Sequence, residues 1–227
     1  LCDRRQRQMC IRDRNEKFVI AINREVGSGG HVVGEKLAER LGVKFYDKDI
    51  IKELTKRFNL SVDELEEVRS SKFNWWNNLI ESYMNRYKVE ERFAIESTVA
   101  TTENVFRVES DFLKQLADDE SCVIAGRSGF FIFRDHPNAL KIFIRSKMEK
   151  RIERMMRVRN LTEEQAVATI EKVDKGREAY TKKFAGKSRY DARNYDLVID
   201  ISEMTEDQAV DLIMDYIDKT FRKEEKK

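Results

Sequence analysis

The chain has 227 residues, 38% of them charged, and its 44 lysines and arginines nearly balance its 42 aspartates and glutamates. A net charge of +2 gives no support to a general nucleic-acid-binding function. The sequence contains no apolar stretch of the roughly 18 residues that a membrane span needs. Its three cysteines, an odd number, favour reduced thiols in a cytoplasmic protein. At this length we expect one α/β domain.

The folded domain is expected to span residues 16–222. Residues 1–15 carry five arginines and show no usable periodicity. They are predicted to be an unstructured basic leader or an artefact of expression or translation. The charged residues after 222 are expected to fray.

The first predicted strand runs directly into a glycine-rich turn and an amphipathic helix. The apolar run at 18–22 suits a strand buried on both faces, and Gly27-Ser28-Gly29-Gly30 follows it. Free N–H groups and the positive end of the helix dipole favour an anion at such a turn, and His31 could also donate to it. The sequence therefore predicts a phosphate-binding loop, with a tight turn that binds nothing as the alternative.

This loop departs from the common phosphate-binding pattern G-x-x-x-x-G-K-[ST]. If Gly29 is the last glycine of that pattern, Arg24 stands at the first glycine and Gly30 stands at the lysine. Neither His31 nor the valine after it offers the usual hydroxyl for Mg²⁺. Arg24 is therefore the candidate cation in place of the lysine, and Ser28 is the nearest hydroxyl.

Strands and helices alternate along the rest of the chain. Further strands are predicted near residues 44, 123, 142 and 199, and a helix over 104–117. The pattern indicates a parallel sheet with helices on both faces, which binds ligands at the C-terminal ends of its strands. Helix starts are predicted from four capping motifs: Ser61-x-x-Glu64, Ser146-x-x-Glu149, Thr162-x-x-Gln165 and Thr205-x-x-Gln208.

Polar residues at the predicted strand ends are expected to converge on one rim of the sheet. A guanidinium there suits bidentate phosphate binding, although each arginine could also be a plain surface residue. The residues are Arg24, Asp47, Arg127, Arg145 and Ser202.

Two charged motifs in the second half of the chain have two interpretations each. Arg151 and Arg154 share a helix face, so they could clamp a phosphate or belong to an ordinary solvated helix. Asp174-x-x-Arg177 could line the site, or it could be a local ion pair worth about 0.2–0.5 kcal/mol.

The order and spacing of these motifs resemble the cytidylate kinase-like family, a branch of the P-loop nucleoside monophosphate kinases. The resemblance runs from about residue 18 to about residue 216. It implies a P-loop NTPase-type three-layer sandwich with a five-stranded parallel sheet, a helical substrate-binding insertion at about 59–100 and a lid at about 151–192. It rests on the loop at 24–30, Phe45-Tyr46-Asp47-Lys48, Gly126-Arg127, the arginine helix and Asp174-x-x-Arg177.

The resemblance also implies ATP-dependent phosphoryl transfer to a nucleoside monophosphate, most naturally CMP or dCMP, with Mg²⁺. By match to the family, the ATP phosphates would lie on Gly27, Ser28, Gly29, Gly30 and His31. The monophosphate would lie near Asp47, Arg127 and Asp174, and the catalytic cations would be Arg24, Arg151, Arg154 and Arg177. This sequence departs from cytidylate kinases in the lysine replaced by Gly30, the hydroxyl replaced by Val32 and the aspartate replaced by Ser128.

Two other functions stay open on the sequence alone. A catalytically impaired regulatory protein would keep the nucleotide-binding loop without its lysine. A structural interaction protein could use the aromatic-rich stretch at 72–95, which includes Trp75 and Trp76. For the kinase and for the regulatory protein, the partners are nucleotides. The sequence leaves the preferred base and the oligomeric state open.

Overall fold

The structure is a computed structural model that describes residues 17–47 and 102–221. Within these residues, five strands form one sheet in the order β2-β3-β1-β4-β5. All of its strand pairs are parallel, as predicted. The strands are β1 (Val19–Arg24), β2 (Lys44–Tyr46), β3 (Cys122–Ala125), β4 (Ala139–Arg145) and β5 (Leu197–Asp200).

The central strand β1 lies between β3 and β4. Its C-terminal end is in register with both neighbours, since Ile22 pairs with Ala125 and Arg24 pairs with Ile144. The chain order of the sheet reverses here, and a crevice forms where successive connections leave in opposite directions. The glycine-rich loop therefore leaves β1 at the one place in the sheet where a ligand crevice is expected.

Helices cover both faces of the sheet and complete three layers. Ile20 and Ile22 of β1 pack on one face, and Val19 and Ala21 pack on the other. Both sets are buried because successive side chains of a strand point to opposite faces. The helices are α1 (Gly30–Leu41), α2 (Thr102–Asp119), α3 (Gly129–Ile132), α4 (Met148–Arg159), α5 (Glu163–Ala185), a 3₁₀ turn (Ala192–Asn194) and α6 (Glu206–Phe221).

Two of the predicted helix starts are confirmed. Thr162 and Gln165 form a reciprocal capping box at the start of α5. Thr205 and Gln208 exchange the same two hydrogen bonds before α6, at 2.8 and 3.2 Å. Each box satisfies two N–H groups that would otherwise lack partners, which fixes where these helices begin.

The predicted cap at Ser146 is wrong. The residue before α4 is Lys147, and it has no side-chain cap. The backbone N–H of Ser146 donates instead to Glu25 at 3.0 Å, and its hydroxyl lies 3.4 Å from that of Ser202. Ser146 therefore binds the loop after β1 and a residue just after β5, and it does not cap the helix.

Several predicted features lie outside the described residues. They are the leader at 1–15, the Ser61-x-x-Glu64 motif, the aromatic-rich stretch at 72–95 and the helical insertion at about 59–100. In the part of the chain that is described, no helix is both long and apolar enough to cross a membrane.

Candidate functional site

The loop between β1 and α1 is shaped by glycines with positive φ. Gly27 has φ 78° and Gly29 has φ 90°, a region that favours glycine because a Cβ is strained there. Gly29 is the N-cap of α1 and supplies no side chain to the first helical turn. The N-terminus of α1 therefore lies at this loop, with its backbone N–H groups and the positive end of its dipole.

The Ser28 hydroxyl is used inside this loop. It donates to the carbonyl of Glu25 at 2.9 Å and accepts the Gly30 N–H at 3.2 Å, and the residue is buried. These two bonds close the turn. They give Ser28 a role in the shape of the loop, and its only proton is already donated.

Helix α4 packs directly on the loop. A Cβ at Gly27 would lie 2.8 Å from the carbonyl oxygen of Arg151. A Cβ at Gly29 would lie 2.8, 2.9 and 3.0 Å from three atoms of the Arg154 guanidinium. The two glycines therefore permit a close approach of α4, and the Arg154 guanidinium lies flat against Gly29.

Arg151 and Asp174 hold the backbone of the loop. Arg151 Nε donates to the carbonyl of Val26 at 2.7 Å, and its Nη2 pairs with Asp174. Asp174 accepts the Val26 N–H at 3.2 Å. Both polar groups of the Val26 backbone are thus bound by one buried ion pair, which joins the loop to α4 and α5.

Arg177 contacts the same network from the next turn of α5. Its Nη1 lies 3.9 Å from Asp174 Oδ1 and donates to the carbonyl of Arg24 at 3.1 Å. The predicted Asp174-x-x-Arg177 pair therefore exists, and it forms part of a buried cluster rather than an exposed helix pair. A carbonyl held by an arginine also fixes the direction in which the chain leaves β1.

Sequence reasoning missed Arg189 in this cluster. Its side chain is 3% exposed, and it lies 3.4 Å from Asp174 and donates to the carbonyl of Arg24 at 2.5 Å. Its carbonyl accepts the Tyr195 hydroxyl at 2.7 Å, and its guanidinium lies 5.8 Å from the Phe143 ring. Its sequence signal is weak, since Arg189 only follows Lys187 in a short basic stretch after Gly186.

The Arg24 side chain passes beside Gly30 and Gly126 and reaches the end of β2. Its Nη2 donates to Asp47 at 3.0 Å, and both side chains are nearly buried. A Cβ at Gly30 would lie 2.7 Å from Arg24 Cβ, and one at Gly126 would lie 2.8 Å from Arg24 Nη1. Glycine at positions 30 and 126 therefore makes the room that this arginine occupies.

His31 contacts the same carboxylate. Its Nδ1 lies 2.8 Å from Asp47 Oδ2, and its Nε2 lies 3.1 Å from Glu35, one helical turn further on. The ring also contacts Phe45 edge-on, with 5.2 Å between centroids. Asp47 thus links the start of α1 with the end of β1, through His31 and Arg24.

Arg127 stands at the end of β3 with an unusual backbone. Gly126, Arg127 and the serine after it have φ values of 90°, 56° and 52°. Left-handed conformations are costly for residues with a Cβ, and they cluster where structure constrains them. The left-handed turn places Arg127 just after β3, beside Gly126. Gly126 in turn lies close to the Arg24 guanidinium.

The predicted residues therefore form two groups around one loop. The first holds the loop against α4 and α5 and consists of Arg151, Arg154, Asp174 and Arg177. The second lies at the ends of β2 and β3 and consists of Asp47, His31, Arg127 and the Arg24 guanidinium. A cleft lies on the loop side, lined among others by Gly27, Gly29, Gly30, His31, Arg154 and Arg177.

The residues present fit the phosphates of ATP. The loop supplies glycine backbone at a helix N-terminus, and Arg154 lies against it in the cleft. The fit to Mg²⁺ is poorer, because the Ser28 hydroxyl is engaged within the loop and Val32 has none. We therefore assign the described residues no role as ligands of the metal.

The central β1, the glycine-rich loop after it and the parallel order of the sheet define a P-loop NTPase-type protein. A model of the cytidylate kinase-like family matches residues 19–203. The chain belongs to the cytidylate kinase-like family.

Relatives and a solved structure resemble most of the chain. A cytidylate kinase of Sulfolobus acidocaldarius is 20% identical over 88% of this chain and 94% of its own. One of Methanopyrus kandleri is 23% identical over 91% of this chain and 96% of its own. The crystal structure of an uncharacterised protein from Eubacterium ventriosum is 28% identical, with a TM-score of 0.67, over 90% of this chain and 99% of that one.

Proposed function

We propose that this protein transfers the γ-phosphoryl group of ATP to a nucleoside monophosphate, most naturally CMP or dCMP. The observation that carries the proposal is the glycine loop at the N-terminus of α1, with Arg154 lying against Gly29. Membership of the cytidylate kinase-like family supports the reaction class. The preference for cytosine rests on the names of the two curated relatives.

Phosphoryl transfer requires positioning and charge neutralisation more than covalent chemistry by the protein. In this proposal the ATP phosphates lie on the loop from Gly27 to His31. The N–H groups of Gly27, Gly29 and His31 hold them, because those of Ser28 and Gly30 donate within the loop. Arg154 supplies positive charge at the cleft. Arg151 keeps the loop in shape through its bond to Val26. Mg²⁺, when bound to ATP, neutralises part of the phosphate charge.

The monophosphate would bind beyond the ends of β2 and β3, where Asp47 and Arg127 stand. The Arg24 guanidinium reaches this side of the loop, because its partner is Asp47 and it contacts Gly126. In this proposal Arg24 takes the place of the missing lysine from the acceptor side. Asp174 and Arg177 bind the backbone of the loop, and in this proposal they fix the position at which the loop holds the phosphates.

One observation favours a second function, a nucleotide-binding regulator without catalysis. Gly30 stands where the catalytic lysine is usual, and Arg24 is paired with Asp47 where both side chains are nearly buried. Burial strengthens the attraction within this pair, so Arg24 offsets less of the charge that develops in transfer than a more exposed cation would. This protein would bind nucleotides and turn none over.

A binding screen followed by a turnover assay separates the two functions. Thermal stabilisation is measured with ATP and with each nucleoside monophosphate, and phosphate transfer is then measured with Mg²⁺. Transfer to CMP or dCMP above the other monophosphates is the result we expect. Stabilisation by nucleotides with no transfer to any acceptor would establish the regulator instead.

A further inference from the structure

Arg151 and Arg154 lie one turn apart on α4, but they have different tasks. All three guanidinium nitrogens of Arg151 lie near oxygens: Nε near Val26, Nη2 near Asp174, and Nη1 3.8 Å from Glu25. Arg154 lies on the cleft side, with 23% of its side chain exposed, and its guanidinium covers Gly29. Arg154 is therefore the α4 cation that a phosphate on the loop would meet.

The Arg154 guanidinium is held by a residue from the far end of the chain. Its Nη2 pairs with Glu206 in the first turn of α6, and the Glu206 side chain is 26% exposed. Burial raises the pKa of the Glu206 carboxyl, but the hydrogen bond and charge of Arg154 outweigh this and hold the pKa below its ordinary value. A carboxylate is also favoured at a helix N-terminus.

The position of Glu206 is itself fixed. The capping box of Thr205 and Gln208 sets the first turn of α6. The next residue, Asp207, binds Lys36 of α1 at 2.7 Å. Glu206 is thus presented to Arg154 from a turn that is anchored to the same helix that begins at the phosphate loop.

We propose that Glu206 is a positioning residue that holds the Arg154 guanidinium over the phosphate loop and so strengthens the binding of a triphosphate chain. The pair uses Nη2, and a guanidinium has five N–H donors, so Arg154 keeps donors for a phosphate. An arginine fixed before the ligand arrives loses less side-chain entropy on binding. The proposal rests on the proposed function only in taking the loop as the phosphate site.

Binding rather than turnover tests this role. The dissociation constants of a non-hydrolysable ATP analogue and of inorganic tripolyphosphate are measured by calorimetry for the wild type, Glu206→Ala and Glu206→Gln. We expect Glu206→Ala to weaken both ligands about tenfold. Glu206→Gln should lose much less, because its amide oxygen can still accept the hydrogen bond from Arg154.

Asp211→Ala is the matched control. It removes an exposed carboxylate from the same helix, and its partner Arg40 is on the surface, so we expect unchanged dissociation constants. Arg154→Ala and the Arg154→Ala/Glu206→Ala double variant complete a thermodynamic cycle. If Glu206 acts through Arg154, the double variant binds no more weakly than Arg154→Ala alone.

Three results would overturn the proposal. They are wild-type affinity in Glu206→Ala, tighter binding in both Glu206 variants, which would make Glu206 a competing counter-ion, and additive losses in the cycle. A wild type that binds both ligands but transfers no phosphate would refute the proposed function and leave this role standing. A wild type that binds neither ligand would refute both.

Discussion

At the residue scale, the Arg24 side chain occupies the volume that a side chain at position 30 would need. An ideal Cβ at position 30 would lie 2.7 Å from the Cβ of Arg24, closer than real Cβ contacts come. A lysine at 30 and an arginine at 24 therefore exclude each other. Compared with the common loop pattern, glycine and cation stand at each other's positions, and the cation at 24 pairs with Asp47.

This exclusion predicts how the two positions respond to substitution. Gly30→Lys alone should lower the free energy of unfolding by about 1–3 kcal/mol, because the new side chain displaces Arg24. Adding Arg24→Gly removes the clash, so the double variant should be more stable than the sum of the single effects implies. Urea denaturation of all four proteins measures the difference, and simple additivity would contradict the shared space.

A second prediction at this scale concerns Gly29. Gly29→Ala strains a backbone at φ 90° and places a Cβ against the Arg154 guanidinium, so we expect the affinity for an ATP analogue to fall at least tenfold. Gly186→Ala is the control, because Gly186 also has positive φ, at 63°, with nothing within 4 Å of its Cβ position. Both variants should lose about 1–2 kcal/mol of stability from backbone strain. Equal ligand affinity in the two would argue against the glycine cradle.

At the scale of secondary structure, the sequence predicted what local chemistry determines. The strand at β1, the glycine turn and the boxes at Thr162 and Thr205 are encoded within a few residues, and the structure confirms them. The Ser146 motif failed because a distant residue, Glu25, takes its N–H. A local rule holds when no tertiary partner competes for the same group.

The ion-pair partners in the candidate site could not be predicted from the sequence for the same reason. Glu206 pairs with Arg154 across 52 positions, and Arg189 reaches Arg24 across 165. No periodicity or motif links residues so far apart. The sequence could name most of the cations around the loop, but only the fold shows which carboxylate neutralises each one.

Asp174 joins two helices to the loop, so its replacement tests an element-scale contact. Asp174→Asn keeps the shape but leaves the buried Arg151 and Arg189 without their carboxylate, and we expect a loss of about 3 kcal/mol in stability. Hydrogen exchange of the Val26 amide should accelerate as well, because its acceptor weakens. Glu153→Gln, which breaks only an exposed pair with Lys150, should change stability by less than about 0.5 kcal/mol. If both substitutions left the stability unchanged, the contacts of Asp174 would contribute no more to stability than an exposed ion pair does.

At the scale of the whole molecule, α6 links distant parts of the described chain around α1. Lys36 binds Asp207 at 2.7 Å and Arg40 binds Asp211 at 3.1 Å, while Ala209 and Ile213 of α6 are buried in the apolar core that α1 and the sheet share. These exposed ion pairs contribute little individually, and the apolar face provides most of the contact. The first turn of α6 can therefore carry Glu206 to the loop without depending on any one charged pair.

The charges of this molecule also predict how its stability depends on pH. Burial raises the pKa of Glu178 and of Glu206, yet hydrogen bonds and nearby cations outweigh it and leave both pKa values below the ordinary 4.5. A carboxyl with a lower pKa in the folded protein binds fewer protons there than in the unfolded chain. Its stabilising contribution is therefore complete above the unfolded pKa and is lost as the pH falls through the folded one.

We therefore expect the melting temperature to be nearly constant from pH 7 down to about 5 and to fall below that. The Glu178→Gln/Glu206→Gln double variant should show a shallower fall, because two of the carboxylates that resist protonation are absent. Glu153→Gln, which alters an exposed carboxylate in a surface pair, should follow the wild-type curve. Thermal melts at half-unit steps of pH measure the three slopes. A double variant that declines as steeply as the wild type would mean that these two carboxylates contribute nothing to the acid stability of the fold.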